Sequence, residues 1–431
     1  GTPTEGTHYF NFGMGSGGSM SLVAMARRGD NLLQHPHLYA LRNWYTSVIE
    51  PFGVEFAMHG DTPNANGGLL DNYVLMKNLW PDDPVIDFIW RNRVGDKYTK
   101  ITYRGDFMFA ALFPQDWQSE QAMMIDSPTG DKWGADAHDR LSTELMAPWT
   151  APALNLPLTH FSSERGFLVT RTGWNRNDMA LHVECRRDAI GPGHQHSNQN
   201  DFTLSALGRQ WVVERGFHRA DTAMHSCILI DGKGQGNFTA PGRFITYLDH
   251  PFATAVVGDA RDAYTYRHTF SWRPNIPGSW SPSPINPNVI ASVYNPVQYA
   301  FRSVIMVRGD HPYLLIVDDV RKDDAPHLYQ FLLQVPDDLE LASVEDSHIT
   351  LQKTSDQDDL PSLLVEVLEP GRDEQQDGLD IALETYDMRL TPESGHGKIE
   401  KFGLAKRLSI TGRRVAMSQV TLLIPLSAKD E

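Results

Sequence analysis

The second part of this sequence repeats runs of strand length in which apolar and polar residues alternate. The run MALHVEC (residues 179–185) alternates without a break, and RSVIMVR (302–308) and LLIVDDV (314–320) follow. Gly, Pro, Asn and Asp separate such runs at short intervals, as they do between the strands of antiparallel sheets. This pattern predicts an antiparallel β-sandwich over residues 159–345 and a smaller C-terminal β-domain over 346–431.

The first part of the chain has helical spacing instead. HPHLYALRNWYTSVIE (35–50) places apolar residues three and four positions apart, and 68–80, 82–92 and 104–113 are similar. Short helices separated by Gly, Pro and Asn predict a partial (α/α) toroid of helical hairpins over residues 1–115. Residues 116–158 are expected to form a connector, so the predicted fold class is α+β multidomain.

Charge and hydropathy argue against two kinds of protein, a nucleic-acid binder and a protein with a membrane-spanning segment. The chain has 431 residues and a formal net charge of −16, which argues against a general nucleic-acid binder. It has no run of eighteen apolar residues, so no membrane span is expected. The two cysteines, Cys185 and Cys227, are compatible with either a disulfide or two buried thiols.

Residues 191–235 contain the highest density of chemically capable side chains. His194 and His196 are two apart, so an extended backbone would direct both imidazoles to one face. Glu214 and His225 lie at the ends of two apolar runs that have the character of buried strands. If the strand ends meet, His196, Glu214 and His225 form a ligand set suited first to zinc, with manganese or iron as alternatives.

The order of motifs resembles that of the heparinase II/III-like polysaccharide lyases. The matching segments are EGTHY (5–9), RGFLVTRTGW (165–174), the HQH block, FTLSALGRQW (202–211), HSCILIDGKGQ (225–235) and VVGDARDAY (256–264). The resemblance is strongest over residues 160–330. It departs from the family at Glu214, where Asp is usual, and at the Ser-Cys pair after His225, where the family tends to have Asn-Thr.

This resemblance implies a lyase that cleaves a uronic-acid-containing polysaccharide by β-elimination. By the family pattern, His194 and Tyr9 would be the catalytic acid–base pair, and the metal would be mainly structural. Substrate-binding candidates are Asn198, Asn200, Arg215 and Arg219. Alginate or a related uronate polymer is ranked ahead of the more densely charged glycosaminoglycans, because the chain is acidic.

Four further expectations concern the setting. The substrate is an anionic polysaccharide or oligosaccharide, which implies a secreted or periplasmic location. The family's toroid is larger than residues 1–115, so its earlier helices would lie on another chain, have been removed, or be absent from a reduced toroid. A homo-oligomer is compatible with the sequence.

The alternatives to a lyase are a metal-dependent glycan hydrolase that activates water at the same ligands and a non-catalytic polysaccharide-binding protein.

Overall fold

The computed structural model of the chain describes most of the C-terminal part, which has strand-like patterns, and a few pieces of the N-terminal part, which has helical spacing. The described residues are 156–187, 196–215, 222–236, 241–265, 295–353, 360–370, 379–387 and 404–427, together with short pieces between 21 and 51 and residues 80 and 82–89. The predicted helices at 68–80 and 104–113, and nearly all of the connector, lie outside these residues.

Two helices are described in the N-terminal part. Helix α1 spans Pro36–Ser47 and α2 spans Pro84–Ile89, where the sequence predicts helices. His35 caps α1, because its imidazole accepts a hydrogen bond from the backbone N–H of His37 and Pro36 occupies the first turn. The toroid as a whole falls largely outside the described residues. None of the described helices is long and apolar enough to span a membrane.

Seventeen strands are present in the described residues, with a 3-10 turn and one further short helix among them. The strands are β1 Thr159–Ser162, β2 Phe167–Arg171, β3 Ala180–Glu184, β4 Asp201–Ala206, β5 Arg209–Val212, β6 Ile228–Ile230, β7 Arg243–His250, β8 Ala253–Asp259, β9 Tyr299–Val307, β10 Tyr313–Arg321, β11 His327–Val335, β12 Leu339–Glu345, β13 His348–Lys353, β14 Ser362–Pro370, β15 Asp380–Asp387, β16 Leu404–Arg414 and β17 Ala416–Leu426. The 3-10 turn is η1 (Thr222–Met224), and α3 is Arg261–Thr265.

These strands form three antiparallel sheets. The five-stranded sheet has the order β1-β2-β3-β4-β5, the eight-stranded sheet has β12-β13-β14-β17-β10-β9-β8-β7, and the four-stranded sheet has β15-β16-β11-β6. Strands β9 and β10 bury every second residue, as the alternating sequence predicts. One continuous apolar core joins all three sheets, including Leu181, Val304 and Ile410. The predicted sandwich is therefore confirmed.

The boundary predicted at residue 346 does not separate two domains in the described strands. Residue 346 falls in the β12–β13 hairpin, and β17 pairs with β10 on one side and β14 on the other. Strand β16 likewise pairs with β11. The more acidic sequence after residue 345 suggested a new domain, but strand pairing across the boundary makes the two segments parts of the same sheets.

Helix α1 packs on the five-stranded sheet. Trp44 contacts Phe167 with ring centroids 4.8 Å apart and His160 with centroids 5.7 Å apart. Arg171, at the end of β2, donates to the carbonyls of Ser47 and Ile49, the latter at 3.0 Å. These contacts explain why β2 is buried along its whole length although it belongs to a small sheet.

His160 is expected to make this contact sensitive to acid. Burial lowers the pKa of His160 from 6.5 to about 4, so the folded chain holds it neutral where the unfolded chain binds a proton. Its stabilising contribution is complete above about pH 6.5 and is lost as the pH falls towards about 4. We expect the unfolding free energy of the wild type to fall between about pH 7 and about pH 4 by roughly 2–3 kcal/mol more than that of His160→Gln. Urea titrations of both proteins across this range measure the difference, and parallel curves would contradict the assignment.

Candidate metal centre

Three side chains predicted as metal ligands meet in the structure. One potential ligand atom from each of His196, Glu214 and His225 lies within 4.8 Å of the others. Glu214 approaches both histidines, with Oε1 3.5 Å from His196 Nδ1 and Oε2 3.1 Å from His225 Nδ1. The two imidazole centroids are 5.0 Å apart. The residues are 1%, 4% and 0% exposed, so the centre is buried.

Strand ends bring these residues together. His196 lies in the segment that leads into β4, Glu214 follows the end of β5, and His225 comes directly after η1 and before β6. Strands β4 and β5 are neighbours in the five-stranded sheet, whereas β6 belongs to the four-stranded sheet. A ligand held by all three side chains would therefore connect two sheets, which confirms the sequence-based expectation that strand ends meet here.

Asp201 is a fourth member of the centre that the sequence analysis missed. Its Oδ2 lies 2.9 Å from His225 Nδ1, and its Oδ1 accepts hydrogen bonds from the backbone N–H groups of Phe202 and Ser226, both at 2.8 Å. A carboxylate that contacts an imidazole fixes the orientation and tautomer of the ring. The available signal was that Asp201 opens a strand five residues after His196, which resembles an ordinary strand start.

The charges at this centre favour a cation. Burial alone would raise the pKa of Glu214, but the His225 charge and hydrogen bonds from both histidines hold that pKa well below its usual range. Burial likewise opposes protonation of His225, yet Glu214 and Asp201 raise its pKa to about 10. Burial and the charge of Glu214 raise the pKa of Asp201. Two buried carboxylates thus need positive charge beside them, which a proton on His225 or a divalent ion supplies.

The donor set fits a divalent metal ion. Two imidazole nitrogens and one carboxylate oxygen form a set typical of zinc sites, and such a set also suits manganese or iron. Asp201 contacts Nδ1 of His225, the same nitrogen that Glu214 approaches, so both carboxylates lie on one side of the ring. Because the three ligands are buried, an ion at this position would have little room for exchangeable water, which favours a structural role over activation of water.

The backbone around His196 is fixed by side chains from other segments. The carboxamide of Gln235 pairs with the backbone of Gln199 through two hydrogen bonds of 2.8 Å, one accepted from its N–H and one donated to its carbonyl. Thr222 donates to the carbonyl of Ser197 at 2.8 Å, and Arg186 donates to that of His196 at 2.6 Å. These bonds hold the segment that follows the predicted catalytic residue His194.

The predicted substrate-binding residues that the structure describes are engaged with protein groups. The Asn198 amide donates to Glu184 at 3.0 Å, and the Asn200 amide donates to the carbonyl of Gly258 at 3.2 Å. Arg215 donates to the carbonyls of Val335 and Lys406 and contacts Asp337. Their part in substrate binding stays a prediction. Tyr9, His194 and Arg219 lie outside the described residues.

The two cysteines are buried thiols in the structure. Cys185 Sγ lies 3.7 Å from the carbonyl of Asp259, and Cys227 Sγ lies 3.5 Å from that of Gln199. Burial raises the pKa of Cys185 to about 12 and that of Cys227 well above its usual range. Neither thiol is therefore available as a thiolate near neutral pH. The sequence left open a disulfide or two buried thiols, and the structure has two buried thiols.

Comparison with solved structures identifies the fold. A crystal structure of heparinase III matches over 97% of this chain and 53% of its own length, with 10% sequence identity and a TM-score of 0.56. The chain has a heparinase III fold. Other matches to this fold are the heparinase III-BT4657 gene product (14% identity, 91% of this chain and 56% of that chain, TM-score 0.47) and heparan sulfate lyase HepC from Pedobacter heparinus (12%, 86% and 61%, TM-score 0.42).

This heparinase-like chain is distant from its structural relatives. It spans between about half and three fifths of the length of these solved lyases. No protein-family model matches its sequence, and no curated protein matches it. At these identities the similarity establishes the architecture of the chain, and the chemistry has to be argued from its own residues.

Proposed function

We propose that this chain is a polysaccharide lyase that cleaves a uronic-acid-containing polysaccharide by β-elimination. The observation that carries the proposal is the buried cluster of His196, Glu214 and His225 in a chain with a heparinase III fold. His196 lies two residues after the proposed catalytic residue His194. Fold alone does not specify activity, but a fold together with a matching constellation of chemically capable residues narrows the choice.

The reaction needs a base and an acid. The base removes the proton beside the uronate carboxylate, the C–O bond to the leaving sugar breaks, and the acid protonates the departing oxygen. No water is consumed, and the new sugar end is unsaturated. His194 and Tyr9 are the proposed pair, since imidazole titrates near neutrality and a phenol can donate or accept a proton when charges nearby adjust its pKa. Which of them is the base depends on the stereochemistry of the substrate.

The substrate carboxylate must also be neutralised during proton removal, since its charge opposes the developing carbanion. Arg215, Arg219, Asn198 and Asn200 are the proposed contacts, either directly or by fixing neighbouring backbone. A structural zinc ion at His196, Glu214 and His225, with manganese as the alternative, would hold the segment carrying His194. The polymeric substrate favours a secreted or periplasmic setting.

Absorbance of the unsaturated product tests this proposal. Incubation with alginate, hyaluronan, chondroitin sulfate, heparan sulfate and ulvan should raise ultraviolet absorbance with at least one polymer. His194→Ala and Tyr9→Phe should each lower that rate by about 100- to 10,000-fold, because each removes a proton-transfer group. Substrate affinity, measured by calorimetry, should change little in either variant.

His348→Ala and Tyr247→Phe serve as controls, since both side chains are exposed, at 53% and 38%. Wild-type rates in His194→Ala or Tyr9→Phe would refute the assignment of that residue. Growth of reducing ends without ultraviolet absorbance would show hydrolysis instead of elimination. Polymer binding without either signal would indicate a binding protein.

A further inference from the structure

The metal centre rests on a row of residues across the eight-stranded sheet. Gly258 on β8 is the Cα partner of Arg302 on β9, and Arg302 is the partner of Asp318 on β10. Arg302 and Asp318 point into the core, where they are 2% and 0% exposed. We call these three residues the support row.

Arg302 and Asp318 form a bidentate ion pair. Arg302 Nε donates to Asp318 Oδ1 at 2.7 Å, and Nη2 donates to Oδ2 at 3.1 Å. A buried ion pair of this kind is often no more stabilising than well-packed apolar side chains of similar volume. A contribution to stability therefore does not by itself explain why the pair is present. The other hydrogen bonds of the guanidinium suggest a second role.

Those remaining donors reach the backbone of the metal centre. Arg302 Nη1 donates to the carbonyl of Asn200 at 2.8 Å and to the carbonyl of Ser226 at 2.5 Å. Asn200 directly precedes Asp201, and Ser226 directly follows His225. A single guanidinium group thus holds the two chain segments whose side chains meet through the 2.9 Å contact between Asp201 and His225.

The first of these segments has an unusual backbone conformation. Asn200 has a φ of 67°, in the left-handed region, which few residues other than Gly, Asn and Asp adopt. Its amide donates to the carbonyl of Gly258, and a Cβ at Gly258 would lie 1.9 Å from Asn200 Oδ1. Gly258 therefore contacts the side chain of Asn200, and Arg302 contacts the carbonyl of Asn200.

We propose that Arg302, oriented by Asp318, is a positioning residue that sets the metal affinity of the centre by fixing the backbone on either side of the His225–Asp201 contact. This inference rests on the metal site of the proposed function. Loss of groups that orient metal ligands typically weakens metal binding on the order of 10- to 100-fold. A purely structural Arg302 would instead affect folding stability and leave metal affinity unchanged.

The test measures the Zn²⁺ dissociation constant of the whole chain by competition with a chromophoric chelator. In Arg302→Lys, an ammonium with three N–H donors on a single nitrogen cannot make all four hydrogen bonds that the guanidinium makes from three nitrogens. In the double variant Arg302→Met with Asp318→Leu, both members of the ion pair become apolar, so neither is left buried without the other. A cooperative unfolding transition in urea establishes that this variant is folded. We expect the dissociation constant to rise by about 10- to 100-fold in both variants.

Arg308→Lys is the matched control. Arg308 also connects segments of different sheets, through hydrogen bonds to the carbonyls of Arg171 and His250 and to three threonine hydroxyls, but it contacts none of the metal-centre residues. Its Zn²⁺ affinity should equal that of the wild type. A folded double variant with wild-type affinity would overturn the role of Arg302 alone, whereas a wild type that binds no Zn²⁺ would overturn the metal site itself.

Discussion

Glu214→Gln is expected to weaken Zn²⁺ binding at the proposed metal site and to destabilise the fold. Glu214 is the side chain that reaches both histidines, so its neutral amide leaves the charge on His225 facing Asp201 alone. We expect the Zn²⁺ dissociation constant to rise by more than about 100-fold, since losing a ligand exceeds the cost of losing a group that orients one. In the metal-free protein, the unfolding free energy should fall by about 3 kcal/mol, as when a buried ion pair is broken.

Glu366→Gln provides a matched control for this substitution. Glu366 also contacts a histidine, with Oε1 3.1 Å from His348 Nε2, but the two side chains are 23% and 53% exposed. Exposed pairs contribute about 0–1 kcal/mol, so this variant should resemble the wild type in both measurements. Equal zinc content in purified Glu214→Gln and wild-type protein would show that Glu214 is not a ligand.

Arg171→Ala is expected to release helix α1 from the five-stranded sheet. The final carbonyls of a helix lack intrahelical partners, and Arg171 supplies both hydrogen bonds and positive charge at the end of α1. Its guanidinium also stacks on Trp174 at 3.9 Å. Glu50 is 3% exposed and interacts electrostatically with Arg171, so it would lose a nearby positive charge. We expect a loss of about 3–5 kcal/mol in unfolding free energy.

Hydrogen exchange separates local release from general destabilisation. Amides of Pro36–Ser47 should lose protection in Arg171→Ala to a greater extent than those of β9 and β10, which lie in the middle of the large sheet. Arg321→Ala is the control, because Arg321 pairs with Asp324 at the surface, where such pairs contribute about 0–1 kcal/mol. Uniform loss of protection along the whole chain would refute a local docking role for Arg171.

Local patterns in the sequence were sufficient for part of this structure. The spacing of apolar residues located α1, and the alternation of MALHVEC and RSVIMVR located β3 and β9. The meeting of His196, Glu214 and His225 was predictable because these side chains stand at or near the ends of apolar runs and the order of the surrounding motifs resembles that of a known family. In each case a short window of sequence contained the signal.

Features that depend on distant pairing were not predictable in this way. Asp201 resembles an ordinary strand start until His225, which lies 24 positions later, is brought beside it. Arg302 lies in a plain alternating strand, and its contacts with Asn200 and Ser226 follow from how the sheets stack. The boundary predicted at residue 346 was wrong for the same reason, because a change in local composition suggested separation while strand pairing joined the two segments.

Strand β17 has a consequence for how this molecule acquires its structure. It lies between β10 and β14, so without it the eight-stranded sheet divides into two unconnected parts. In the pairing of β10 with β17, Arg321 lies opposite Ala416. The ribosome therefore synthesises β17 only after β10 and all the strands between them. The half of the sheet that supports the metal centre therefore exposes an unpaired edge throughout much of synthesis. Such late, long-range closure predicts slow folding and a dependence on chaperones until β17 has been synthesised.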